Sequence, residues 1–206
     1  MNRLRGLAPF WFFALALFVA ACGGTKAKLE KLDRGATVLA FGDSLTFGTG
    51  ANTGESYPAV LAQITGLKVV NAGVPGELSA EGLERLPGAL DEAQPKLLIL
   101  CHAGNDFLQK KDDAVAANNV RAMVQLAKSR GIGVVLLATP KPGIPPSVPK
   151  FYEDIAAQER IPIEDGVLKD VLFDQGLKSD FVHPNAKGYA RVAEALEKLL
   201  KKSGAL

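Results

Sequence analysis

The amino-acid sequence predicts a three-layer α/β domain, a doubly wound parallel sheet of about five strands with helices on both faces. Three observations carry this expectation. Four apolar runs, ATVLAF (36–41), LKVVNA (67–72), KLLILCH (96–102) and GVVLLAT (133–139), are continuous rather than alternating, as strands covered on both faces should be. Segments of helical period separate them. Polar, glycine-containing clusters end or directly follow the first three runs, at the carboxyl edge where such sheets carry their sites.

Each element has its own signal. The first run leaves through GDSLTFGTG (42–50), where Gly42 permits tight backbone geometry and Asp43 or Ser44 can cap a helix. SYPAVLAQITG (56–66) reads as the first full helix, and SAEGLERLPGALDEA (79–93) as the next. In AVAANNVRAMVQLAKSRG (114–131), Val120, Met123, Val124 and Ala127 recur at three and four, which makes Met123 core filling rather than a ligand. A proline-rich loop, PKPGIPPSVP (140–149), leads into the helical PKFYEDIAAQER (149–160). A weaker fifth strand, IPIED (161–165), and a final helix, NAKGYARVAEALEKLLKKSG (185–204), complete the series.

The chain has 206 residues, 48% hydrophobic and 22% charged, enough for one globular domain and cramped for two. Its first residues are a separate matter. Two arginines precede an uncharged apolar stretch from Leu7 to Ala21, the pattern of a secretory signal, and it is short for a membrane span. The ending VAAC resembles the bacterial lipobox, which implies lipidation of Cys22, a polar tether over 22–35, and a domain over 36–206. The expected location is therefore the bacterial cell envelope, with the domain lipid-anchored to a membrane and facing the periplasm or exterior. Removing residues 1–21 takes away Arg3 and Arg5, so Lys plus Arg falls from 24 to 22 against 22 acids. A near-neutral domain offers no basic face for nucleic acid. With Cys22 acylated, Cys101 has no disulfide partner and reads as a buried strand residue.

The polar clusters GDS (42–44), NAG (71–73) and HAGND (102–106) are up to about 60 residues apart, yet the predicted topology brings them to one sheet edge. A fourth cluster, SDFVHPNAKGY (179–189), places Asp180 three residues before His183. A carboxylate that holds an imidazole Nδ1–H leaves Nε2 free to take a proton from a hydroxyl. Asp180 thus reads as the orienting acid, His183 as the base and Ser44 as the nucleophile. His102 is the other histidine, without an acid beside it in sequence.

These residues resemble the SGNH, or GDSL, hydrolase family of serine esterases and lipases with a flavodoxin-like fold. The matching residues are Ser44 in GDSL, Gly73 in NAGVPG, Asn105 in GND, and Asp180 and His183 in DFVHP. The match runs in order from about residue 36 to the end, and is especially similar to the periplasmic thioesterase, lysophospholipase and arylesterase branch, with its RLP helix (85–87). Cys101 and His102 depart from that branch, which often has glutamate and leucine there, and Ala103 replaces a glycine. The resemblance implies the triad Ser44, Asp180 and His183, and an oxyanion hole from the Ser44 and Gly73 N–H groups and the Asn105 side chain. Asp43 is left structural. Phe107, Leu108 and Ile144 are expected beside the acyl pocket, favouring fatty-acyl, aryl or lysophospholipid esters and thioesters over O-acetylated carbohydrate or peptidoglycan. A monomer without metal or other cofactor is expected.

Other classes fit less well. GDSLTFGTG lacks the lysine of a P-loop, and no Gly-x-Gly-x-x-Gly follows a strand. An aspartyl-phosphate site at Asp43 lacks a second nearby acid in sequence. A non-catalytic binding lipoprotein predicts decay of at least one catalytic position, and every one is intact.

Overall fold

A computed structural model describes residues 27–206. The segment 1–21 expected to be a signal and Cys22, the expected acylation position, lie outside the described residues. The elements run β1 (Thr37–Gly42), α1 (Ser44–Phe47), α2 (Tyr57–Thr65), β2 (Lys68–Gly73), α3 (Ser79–Ala93), β3 (Leu97–Cys101) and α4 (Gly104–Leu108). There follow α5 (Asp113–Ser129), β4 (Gly133–Leu137), α6 (Phe151–Glu159), β5 (Ile163–Glu164), α7 (Val167–Phe173) and α8 (Ala186–Ser203).

All five strands pair in parallel, in the order β2-β1-β3-β4-β5. The chain passes from β1 outward to β2, then returns across β1 to start β3 on its other side. Connections therefore diverge at the carboxyl ends of β1 and β3, and a crevice opens there.

The continuous apolar runs follow from alternation with both faces covered. Leu39, Phe41, Leu98, Leu100, Val134 and Leu136 point to the layer of α3, α5 and α6. Val38, Ala40, Leu97, Ile99, Cys101, Val135 and Leu137 point to the layer of α2, α7 and α8. Each is at most 1% exposed, so neither face of the three central strands can carry a polar residue cheaply. In α8 the buried Tyr189, Val192, Ala193, Leu196 and Leu200 form one stripe at helical spacing. Asn185 caps its start by accepting from the Gly188 N–H at 3.1 Å, and Gly204, in the left-handed region, ends it.

The structure differs from the sequence expectation in several places, of which three bear on the site or its frame. The third strand stops at Cys101, so His102 belongs to the turn. The short helix α7 has no counterpart in the sequence reading, because seven residues hold only two turns and too little period to recognise; Leu168, Val171 and Leu172 are its buried face. Within the stretch assigned as a tether, Leu29 and Leu32 pack against the α8 side of the core. Their N–H groups donate to Ser203 O and Ala205 O, each at 2.9 Å, which attaches this segment at the end of α8.

Candidate active site

The turns after β1 and β3, the loop after β2 and the loop before α8 meet over a cavity of about 510 Å³. Ser44 is the first residue of α1, and the first amides of a helix have no intrahelical acceptor. Asp43 caps that turn, its Oδ1 accepting from the Leu45 N–H at 3.0 Å. Burial pushes the Asp43 carboxyl up, although His102 and the Leu45 and Gly104 amides pull the other way. Gly42 is required by close approach: a methyl there would stand 1.9 Å from the Cys101 carbonyl oxygen on β3. The GDS turn is thus a tight capped turn that also presents a hydroxyl to the cavity.

His183 Nε2 lies 3.0 Å from Ser44 Oγ, and His183 Nδ1 lies 2.7 Å from Asp180 Oδ2. Asp180 Oδ1 accepts from the N–H groups of Val182 and His183, both at 2.8 Å, so the carboxylate holds ring and backbone together. Partial burial raises its carboxyl, but the bonds from the His183 ring and the two amides prevail and leave it below its ordinary value. The Nδ1–H donates to Asp180, which makes Nε2 the acceptor facing the serine hydroxyl. The loop itself is held by Ser179, whose N–H donates to His183 O at 2.9 Å. Tyr189 adds a bond from its hydroxyl to Thr49 O at 2.8 Å, tying α8 to the segment after α1.

The three residues of GND take three tasks. Gly104 lies against Asp43, where a methyl would come 3.0 Å from Oδ2. Asn105 lines the cavity and donates one Nδ2 hydrogen to Glu77 O at 3.0 Å, leaving the second free. Asp106 turns away from the cavity and anchors the start of α3, accepting from the Ser79 N–H at 2.9 Å and hydroxyl at 2.7 Å. Just before them, Ala103 keeps the left-handed φ of 85° that its glycine counterpart would adopt without cost.

Gly73 is the last residue of β2. It does not line the cavity, and its N–H donates to Asn71 Oδ1 at 3.0 Å. For this amide to meet an oxyanion, Asn71 has to turn aside. Gly73 has a packing reason of its own: a methyl would stand 2.1 Å from Phe47 N, inside the backbone of α1.

His102 is 1% exposed and also outside the cavity lining. Its Nδ1 accepts from the Ala103 N–H at 3.0 Å, so Nε2 carries the proton and donates to Glu77 Oε2 at 3.1 Å. The acid missing beside His102 in sequence is supplied from 25 residues upstream. Glu77 is also gripped by Arg85, whose Nε and Nη2 donate at 2.6 and 2.8 Å. Burial would raise the Glu77 carboxyl, but Arg85 and His102 hold it at about 2. Cys101 is fully buried, its Sγ 3.6 Å from Thr139 Oγ1, and burial pushes the thiol up, away from nucleophilic use.

Leu108 and Ile144 line the cavity as expected, whereas Phe107 is turned into the core. The sequence reading missed Phe173 at the end of α7, and Phe181 and Val182 between Asp180 and His183. The phenylalanines are more than half exposed and share the cavity wall with Leu108 and Ile144, an apolar patch of the kind that marks a binding surface. That Phe181 and Val182 fall inside the DFVHP motif was the signal that could have found them.

With serine, imidazole and carboxylate in line at the mouth of an apolar cavity, the arrangement can activate a hydroxyl toward an acyl carbonyl. Residues 40–191 match the GDSL-like lipase/acylhydrolase family. The chain belongs to that family and is an ester hydrolase of the GDSL type. It is 32% identical over 178 residues to an esterase, TesA, of Pseudomonas aeruginosa, covering 80% of this chain and 88% of that protein. It is 27% identical over 208 residues to thioesterase 1/protease 1/lysophospholipase L1 of Escherichia coli, covering 97% and 94%. A crystal structure of TesA superposes with a TM-score of 0.73 at 31% identity, covering 81% of this chain and 99% of the other.

Proposed function

We propose that this protein is a serine esterase that hydrolyses fatty-acyl, aryl or lysophospholipid esters and thioesters by way of an acyl-enzyme. The observation that carries the reading is the chain from Ser44 Oγ through His183 to Asp180, at 3.0 and 2.7 Å, beside an apolar cavity. His183 takes the hydroxyl proton as Ser44 attacks the acyl carbonyl, and Asp180 stabilises the imidazolium. The imidazolium then gives that proton to the departing alcohol or thiol. Water, deprotonated by His183, attacks the acyl-enzyme and releases the acid. The Ser44 N–H and the free hydrogen of Asn105 Nδ2 serve the developing oxyanion, with Gly73 N–H joining them when Asn71 moves.

Leu108, Ile144, Phe173 and Phe181 favour an extended acyl or aryl group over acetylated sugars, whose hydroxyls would find few partners on such a wall. A panel of p-nitrophenyl esters and acyl-CoAs, assayed with the purified domain, tests this. Higher kcat/KM for medium and long chains than for acetate is expected, and preference for acetate would move the protein to the O-acetylesterases. Absence of hydrolysis across the panel would overturn the reading.

We further propose that Cys22 is lipidated and anchors the domain in the bacterial envelope, on the strength of VAAC after an apolar signal. Labelled fatty acid should enter the wild type, and Cys22→Ser should release a soluble, active enzyme. An unlabelled wild type would exclude the anchor.

A further inference from the structure

Glu77 stands between the two turns that carry Gly73 and Asn105, and the triad gives it no task. Its side chain is 94% buried, yet it bears a full negative charge matched by one guanidinium and one neutral imidazole N–H. Such a group is costly to bury unless its bonds are well made, and those bonds tie together the groups that make them. What it holds can be traced. Arg85 grips the carboxylate, stacks 4.0 Å over the Phe41 ring, and donates from Nη2 to Ala72 O at 3.0 Å, next to Gly73. His102 reaches the same carboxylate from the turn after β3, two residues after which comes Gly104 and then Asn105. The main-chain carbonyl of Glu77 accepts from Asn105 Nδ2 at 3.0 Å. The clamp is closed by α3: a methyl on Gly82 would come 2.2 Å from His102 Nε2, so only a glycine lets the helix lie on the ring.

We propose that Glu77, clamped by Arg85 and His102, is a positioning residue that fixes the Asn105 amide for the acyl transition state. The carbonyl of Glu77 takes one amide hydrogen and thereby aims the other at the cavity. The carboxylate, anchored to both turns, prevents the carbonyl from drifting. This inference rests on the esterase reading above, with Asn105 as an oxyanion donor.

The test is a double-mutant cycle read by p-nitrophenyl ester kinetics. Asn105→Ala alone should lower kcat by about 10²- to 10³-fold, the usual cost of one oxyanion donor. Glu77→Gln keeps the shape and removes the charge; it should lower kcat by about tenfold to a hundredfold, the scale of a roughly 1 Å misplacement, with KM within about twofold. In the Asn105→Ala background the same change should cost less than about twofold, because it acts through the amide already removed. His102→Gln, whose side-chain N–H can still meet Glu77, should keep most of the activity that His102→Leu loses. An undiminished Glu77→Gln effect in the Asn105→Ala background, or an effect confined to KM, overturns the proposal. Full turnover in Asn105→Ala alone also overturns it, and does so before Glu77 is touched, while Ser44→Ala still judges the esterase reading separately. Should Glu77→Gln fail to fold, His102→Leu takes its place in the same cycle: a loss that vanishes in the Asn105→Ala background supports the proposal, and a loss that persists there overturns it.

Discussion

Replacing His183 by Ala is expected to abolish ester turnover, by roughly 10⁴- to 10⁶-fold in kcat, and to stop covalent labelling of Ser44 by an organophosphorus reagent. The hydroxyl donates to His183 Nε2 at 3.0 Å, and losing that acceptor removes the means of making a nucleophile near neutral pH. His102→Ala should cost only about tenfold to a hundredfold, since that ring is buried behind the cavity and positions groups rather than moving protons. Steady-state kinetics and labelling rates on the two variants check the contrast. If His102→Ala were the more damaging in a folded protein, the assignment of the base would be reversed.

The second large effect is expected at Gly73. An alanine there brings its methyl to 2.1 Å from Phe47 N and 2.6 Å from Phe47 Cα, contacts that only a displaced α1 can relieve. Because Ser44 begins α1, the nucleophile moves with it, and a loss of about 10²-fold or more in kcat is expected. Overpacking of this kind costs about 1–3 kcal/mol, so the melting temperature should fall by several degrees as well. Asn71→Ala is the informative partner, since it frees the Gly73 N–H without crowding anything, at the cost of the bond from Asn71 Nδ2 to Phe47 O at 3.2 Å. Turnover that holds or rises in Asn71→Ala supports a donor role for that amide, and a Gly73→Ala variant as active and stable as wild type would contradict the packing argument.

Much of this site is legible in the sequence because its chemistry is bound to local pattern. Continuous apolar runs fix the parallel strands and hence the edge at which GDS and HAGND arrive. Asp180 and His183 sit in one turn, so their pairing needs no tertiary knowledge. Glu77 and His102 are 25 residues apart on different turns, and neither residue type nor spacing signals that they meet. The engagement of Gly73 by Asn71 was hidden for another reason. A side chain two residues away can fold back onto a strand-end amide, and a motif match records the glycine but not its hydrogen bond. The cavity wall was half legible: Leu108 and Ile144 lie beside recognisable loops, whereas Phe173 depends on a helix too short to show a period.

The central claim is that Ser44 is the residue acylated during turnover. Treating the purified enzyme with a p-nitrophenyl phosphonate and mapping the adduct by peptide mass spectrometry tests it most directly. One stoichiometric adduct on the peptide containing Ser44, forming as activity is lost and absent from Ser44→Ala, is the predicted result. An adduct on another residue, or full ester hydrolysis by folded Ser44→Ala, would contradict it.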